Sequence, residues 1–204
     1  MRLLGTPGSP YVRKVRIVLA EKGIPYEFVI DRPADPGSSI PSLNPLGKIP
    51  VLVRDDEKPL YDSPVIVEYL DAIGAGPKLI PDVFSDRIEV KRWEALGDGV
   101  AEAAILISHD FRKQPETRES AEGYPKQRKK IERALMTMSR DLGEREFCHG
   151  ERFSLADIAA GYALGYLDHV LQEMEWRGSH PNLKRSADRL AARDSFRNSL
   201  PPRT

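Results

Sequence analysis

The chain has 204 residues, 40% hydrophobic and 30% charged, and its 31 basic and 31 acidic residues give a formal net charge of zero. This length fits one large domain or two small ones, and the balanced charge argues against nucleic acid or an anionic membrane as a partner. A single cysteine, Cys148, excludes a disulfide framework and a thiolate metal cluster, and the four histidines lack metal-ligand spacing. No signal or membrane segment is evident, which predicts a cytoplasmic protein that binds no metal.

The first thirty residues predict a strand, a helix and a second strand. Residues 2–4, Arg-Leu-Leu, are a short strand candidate that ends at glycine and proline. Ser9 fits a helix N-cap and Pro10 the first helical position, where its missing N–H costs nothing. Residues 26–30 are typical of a strand, so the two strands are predicted to pair in parallel.

A loop and a second group of elements follow. Residues 32–44 predict a loop with room for a short helix, and residues 48–53 contain a third strand. Residues 59–62 return as a fourth strand, antiparallel to the third because the turn between them is short. The Ser63-Pro64 pair repeats the arrangement of Ser9 and Pro10, with Ser63 as the predicted cap of a helix that ends at Gly74.

The order of these elements, βαβ and then ββα, is the thioredoxin topology. We therefore expect an α/β thioredoxin-like domain over residues 1–76. Strand signals vanish after Pro81, so residues 83–204 are expected to form an all-α helical-bundle domain.

The predicted helices of the second domain cover residues 86–111, residues 124–142 and residues 155–170, with a last helix after His180. Ser154 and Asp157 fit a capping box at the start of the third, whose apolar composition predicts a buried position. Gly97 and Gly99 interrupt the composition of the first, and either a kink or a widened pocket is compatible with them.

Four segments together resemble the glutathione S-transferase family: S-P-Y-V-R-K-V at 9–15, N-P-L-G-K-I-P-V-L at 44–52, D-S-P at 62–64 and F-S-L-A-D-I at 153–158. They occur in the order and spacing of that family across almost the whole chain. The opening is similar to that of the serine-type members and of the bacterial YibF-like branch. The resemblance implies glutathione as co-substrate, a role in detoxification and a homodimer.

Ser9 is the catalytic candidate that the resemblance implies. A helix N-terminus favours an anion, so a glutathione thiolate placed there has a lowered pKa. The Ser9 hydroxyl would donate a further hydrogen bond to the sulfur. The alternative is that this hydroxyl serves only as the cap of its own helix.

The remaining glutathione contacts are implied by matching positions. Ser63 would hold the γ-glutamyl carboxylate at a helix start, and Asp62 would face the ammonium group. Pro50, at the position of the cis-proline of the family, would turn the Ile49 backbone toward the cysteinyl main chain. Lys48 would meet the glycyl carboxylate, although a solvated surface lysine fits the sequence nearly as well.

Candidates for the electrophile pocket are weaker: Tyr11, which could instead be a donor to the thiolate, and Ala103, Ile107 and Phe111, any of which fits a core position instead. Cys148 is predicted to be a bystander thiol. The cysteine of thiol-reductase members is missing, because position 9 is serine.

The leading prediction is an enzyme that conjugates glutathione to a small hydrophobic electrophile. A glutathione-dependent peroxidase or dehalogenase would use the same site. A non-catalytic binding or interaction module is the third possibility, because this fold is widely reused. Ser9, Asp62 and Ser63 together favour a working glutathione site.

Overall fold

The computed structural model describes residues 1–113 and 123–202, with residues 109–113 described as helical backbone alone. The chain divides into two compact units. The first contains Met1–Ile80 together with the segment from Arg193 onward, and the second contains Pro81–Ala192. The prediction placed residues 83–204 in one helical domain. The segment from Arg193 instead packs with the first unit, through polar contacts to its first helix.

The elements of the first unit are β1 Arg2–Gly5, α1 Pro10–Glu21, β2 Glu27–Ile30, α2 Ile40–Leu43, β3 Val51–Val53, β4 Pro59–Leu60, α3 Ser63–Ile73 and, after the second unit, α9 Asp194–Arg197. The described strands form one sheet in the order β2-β1-β3-β4. The β1–β2 pair is parallel, and the β1–β3 and β3–β4 pairs are antiparallel. The thioredoxin-like topology is therefore confirmed.

The register of the sheet places a small apolar cluster under the loop that precedes β3. Leu4 lies opposite Val29 on one side and Val51 on the other. Leu4 and Val51 are buried together with Ile40, and Ile49 packs against this cluster. Burial of such side chains contributes about 1.5–3 kcal/mol each. The apolar contact therefore fixes the position of Ile49.

A buried ion pair joins the end of α1 to α3. Lys22 Nζ lies 3.1 Å from the Asp71 carboxylate, and both side chains are almost fully buried. Lys22 also donates to the carbonyl of Pro77, and Asp71 accepts from the backbone N–H groups of Leu79 and Ile80. These extra hydrogen bonds satisfy both charges, as burial requires.

The second unit consists of α4 Phe84–Lys113, α5 Gly123–Leu142, α6 Leu155–Val170, a 3₁₀ turn at Gln172–Met174, α7 Trp176–Ser179 and α8 Pro181–Ala191. Helix α6 is buried along almost its whole length and packs against α4 and α8. None of the helices in the described ranges has the length and apolar character needed to cross a membrane.

Helix α4 continues through Gly97 and Gly99, and the neighbours of Gly97 indicate a role other than the kink or the widened pocket that the sequence left open. A Cβ atom at Gly97 would lie 2.6 Å from the carbonyl oxygen of Ala159 in α6. At the next position of α4, Asp98 accepts a hydrogen bond from the hydroxyl of Tyr162 in α6. Gly97 therefore permits close contact between the two helices.

Candidate functional site

Ser9 caps α1, as predicted. Its backbone is extended, and its Oγ accepts a 3.4 Å hydrogen bond from the Val12 N–H. The Ser9 carbonyl accepts from the Arg13 N–H at 3.0 Å, which starts the helical ladder. A hydroxyl that accepts a hydrogen bond retains its own proton to donate. The cap is thus compatible with donation to a ligand at the helix start.

Gly5 brings the start of α1 close to the loop before β3. A Cβ atom at Gly5 would lie 2.5 Å from Cγ2 of Val12 and 3.4 Å from Cβ of Ile49. Any larger residue would push these two groups apart. The sequence indicated only that Gly5 ends a strand, since its neighbours Val12 and Ile49 are far apart in the chain and the fold brings them together.

The loop before β3 is braced by Asn44, which is buried. Its side-chain amide donates to the carbonyl of Lys48 at 2.9 Å, and its Oδ1 accepts from the Leu46 N–H at 3.0 Å. The Ile49–Pro50 peptide bond is cis. Lys48 is exposed and Ile49 half-buried. Sequence reasoning used Asn44 as a landmark but missed its bracing role.

The prediction that Ser63 caps α3 is wrong: Asp62 is the cap, and Ser63 is the first helical residue. The Asp62 carboxylate accepts a hydrogen bond from the Ser63 N–H, and its carbonyl accepts from Val65 and Ile66. Both residue types are good caps, and Pro64 tolerates either register. A charged carboxylate is the stronger acceptor of the two.

Ser63 has an unusual environment at this helix start. Its side chain is 1% exposed, and its Oγ has no hydrogen-bond partner within the described part of the chain. A buried hydroxyl without a partner costs about 1–3 kcal/mol. At a helix N-terminus such a group is suited to an anionic or polar ligand.

The predicted electrophile-pocket residues lie in both units. Tyr11 is half-buried in the first turn of α1. Ala103 and Ile107 are buried in α4, where they belong to the interior of the second unit. The side chain of Phe111 lies outside the described residues. The pocket role of all four stays a prediction.

Ser154 and Asp157 form the predicted capping box of α6. The Asp157 carboxylate accepts from the Ser154 N–H at 2.9 Å and from the Cys148 N–H at 2.8 Å. Burial raises the pKa of Asp157, although these hydrogen bonds oppose the shift. Burial, and then the charge of Asp157, raise the pKa of the Cys148 thiol well above its usual range. Cys148 is therefore poorly suited to thiolate chemistry.

Within the described ranges, His, Cys, Asp and Glu form no cluster of three or more able to hold a metal ion.

The first unit thus defines a class of protein: a thioredoxin-like domain with serine, in place of cysteine, at the start of α1. Residues 8–73 match the family model described as the glutathione S-transferase N-terminal domain, and residues 118–185 match that of its C-terminal domain. The GST-like protein YibF of Escherichia coli strain K12 is 34% identical, with all of both chains covered. The chain belongs to the glutathione S-transferase family.

Two solved structures extend the comparison. A glutathione S-transferase from Methylobacillus flagellatus KT, with glutathione bound, is 45% identical with a TM-score of 0.92, covering 98% of this chain and 99% of the other. Another, from Methylobacterium radiotolerans JCM 2831 in complex with glutathione sulfonate, is 42% identical with a TM-score of 0.90. It covers 98% of this chain and 94% of its own.

Proposed function

We propose that this protein is a glutathione transferase that joins the thiolate of glutathione to a small hydrophobic electrophile. The observation that carries the proposal is the buried Ser63 hydroxyl at the N-terminus of α3, which has no hydrogen-bond partner among the described residues. Such a group suits the γ-glutamyl carboxylate. The two similar glutathione S-transferase structures, solved with glutathione or its sulfonate, support the same ligand.

Other groups of the first unit would bind the rest of the tripeptide. The Asp62 carboxylate supplies negative charge beside the ammonium group of the γ-glutamyl moiety. The backbone of Ile49 would pair with the cysteinyl main chain, as its packed position allows. Lys48, which is exposed, would meet the glycyl carboxylate.

The chemical step follows from the N-terminus of α1. The positive end of its dipole and the Ser9 hydroxyl would stabilise the sulfur anion, so that the glutathione proton passes to solvent. The thiolate then attacks the electrophilic carbon and forms the C–S bond. The electron pair of the bond that breaks leaves with the displaced group, or remains on the substrate when the reaction is an addition. Binding both reactants next to each other in the correct orientation accounts for much of the rate acceleration.

A titration with two serine variants tests the proposal. Glutathione is added at several pH values and the thiolate absorbance is followed in wild type, Ser9→Ala and Ser63→Ala. We expect bound glutathione to ionise well below the free-thiol pKa of ~8.5 in wild type. Ser9→Ala should raise that pKa and leave binding nearly intact. Ser63→Ala should weaken binding by roughly 10- to 100-fold, since a hydrogen bond to a charged group contributes about 1.5–3 kcal/mol.

The exposed Ser42 offers a matched control, because its hydroxyl donates to the carbonyl of Ser39 at the start of α2, and Ser42→Ala removes that local contact. Ser42→Ala should change neither the affinity for glutathione nor the pKa of bound glutathione. If wild type binds no glutathione, the proposal fails and a non-catalytic interaction module takes its place. If it binds and ionises glutathione but turns over only hydroperoxides or haloalkanes, the activity is that of a peroxidase or dehalogenase.

We also propose that the protein acts in the cytoplasm, in detoxification, as a homodimer. These proposals rest on the family to which the chain belongs, whose members are commonly two-fold dimers. Light scattering on the purified protein measures the oligomeric state, and a mass of 22.9 kDa, that of one chain, would refute the dimer.

A further inference from the structure

The segment of residues 193–199, here called the α9 strap, lies along α1. It includes the short helix α9 and belongs to the first unit although the whole second unit separates it from α1 in sequence. Three residues of α1 bond to it: Arg13, Arg16 and Glu21. These residues span α1 from its second turn to its last residue.

The attachment nearest the site uses Arg13 and Phe196, which are both buried. The Arg13 guanidinium donates to the Phe196 carbonyl at 3.4 Å and lies 5.9 Å from the centre of the Phe196 ring. The backbone N–H of Arg13 donates to the carbonyl of Ser9, so this contact lies one turn from the proposed catalytic hydroxyl.

The middle attachment uses the guanidinium of Arg16. It donates to the carbonyl of Asn198 at 2.9 Å and to the hydroxyl of Tyr26 at 3.3 Å. Carbonyl groups at the end of a helix lack partners within it, and here the side chains of α1 supply them. Arg16 therefore satisfies the Asn198 carbonyl, and Arg13 shares the Phe196 carbonyl with the Ser199 hydroxyl.

The far attachment is an ion pair at the last residue of α1. Arg193 donates two hydrogen bonds to the Glu21 carboxylate, at 2.9 and 2.8 Å. The Ser195 hydroxyl donates to the same carboxylate. A paired geometry of this kind fixes direction as well as distance.

We propose that the α9 strap positions α1 for catalysis, with Arg13 and Phe196 as positioning residues that act through Ser9. This inference rests on the proposed function. The first turn of a helix has the fewest backbone hydrogen bonds and frays most easily, so the Ser9 hydroxyl needs an external support. Displacements of about 1 Å in a reacting group reduce rates strongly.

Phe196→Ala tests the proposal against Leu135→Ala, which truncates a buried side chain of α5 in the other unit. Amide exchange of residues 11–15 and the pKa of bound glutathione are measured in both. Phe196→Ala should speed that exchange by roughly tenfold, since local opening no longer breaks the strap contact. It should also move the glutathione pKa toward that of the free thiol. Leu135→Ala should lower global stability and change neither readout.

The outcomes separate the strap from the proposed function. Unchanged exchange in folded Phe196→Ala, an equal change in Leu135→Ala, or faster exchange with an unmoved glutathione pKa would each overturn the proposal. If wild-type protein itself fails to ionise glutathione, the proposed function fails and the positioning role falls with it. The exchange data then show by themselves whether the strap holds α1. If Phe196→Ala does not fold, Arg193→Gln replaces it, because that side chain is partly exposed, and faster exchange toward Ser9 is again required.

Discussion

Cys148 and Ser63 both have small buried side chains, but their surroundings suit them to different roles: the Cys148 thiol is poorly reactive, whereas the Ser63 hydroxyl is placed to bind a ligand. The pKa of the Cys148 thiol is raised by burial and by the negative charge of Asp157, so the reactive thiolate is scarce. The Ser63 hydroxyl is neutral at any accessible pH, and its position at a helix start suits a polar ligand. Surroundings, more than residue type, decide which of the two takes part in chemistry.

Cys148 should therefore resist thiol reagents in the folded protein. We expect native protein to react with a disulfide reagent at neutral pH at least ~100-fold more slowly than denatured protein, because the thiol is both buried and protonated. Absorbance of the released thiol measures the rate. Ser9→Cys provides the positive control, since a thiol at the start of α1 should react quickly. Equal rates for native and denatured wild type would contradict the prediction.

The site was predictable from sequence where the signal was local. Ser9 and the Pro that follows it identify a helix cap without any tertiary information. Asp62 and Ser63 are adjacent good caps, so the sequence did not reveal which of them begins the helix. Gly5 and Asn44 act through neighbours brought together by the sheet and by a loop. Their roles require the fold.

At the scale of elements, the contact between α4 and α6 depends on Gly97. Gly97→Ala should lower the free energy of unfolding by about 1–3 kcal/mol, because the new methyl group meets the Ala159 backbone. Gly99→Ala is the matched control in the same helix, with open space at its Cβ position. It should raise stability by up to ~1 kcal/mol through helix propensity. Urea unfolding measures both, and equal gains would show that the close contact is unimportant.

Element boundaries were predictable to different degrees. The bounds of α6 match the prediction of residues 155–170, because a capping box and a continuous apolar run identify it. Strand β3 is shorter than residues 48–53, since Pro50 has no N–H to donate to a sheet. Strand β4 ends at Leu60, ahead of the capping residue Asp62.

At the scale of the molecule, the α9 strap makes the first unit sensitive to acid. Burial raises the pKa of Glu21, but hydrogen bonds from Arg193 and Ser195 and the charge of Arg193 oppose it, and the net pKa lies below the ordinary 4.5. A carboxyl group with a lowered folded pKa contributes stability above its unfolded pKa and loses it as pH falls through the folded value.

Glu21→Gln should thus cost about 1–3 kcal/mol of unfolding free energy at neutral pH, because it leaves Arg193 and Ser195 poorly paired. The difference from wild type should stay constant down to a pH near 4.5 and shrink below it. Urea unfolding at several pH values measures this. Glu144→Gln breaks an exposed ion pair with Arg185 and should matter far less. A wild-type advantage that persists in strong acid would refute the assignment.

The division into units was the least predictable level. The loss of strand signals after Pro81 marks the end of the thioredoxin-like segment, which the sequence predicts at residue 76. The sequence pattern does not predict the contacts of Arg193 and Phe196 with α1, because these contacts join residues that are 172 and 183 positions apart. Only the folded chain shows the pairing.

This return has a consequence for synthesis on the ribosome. A chain emerges from its amino end, and domains that are contiguous in sequence can fold as they appear. Here residues 1–80 leave the exit tunnel long before residues 193–199, with the whole second unit translated in between. The first unit therefore lacks the contacts of the α9 strap until residues 193–199 have been synthesised. Its completion follows the synthesis of the whole second unit.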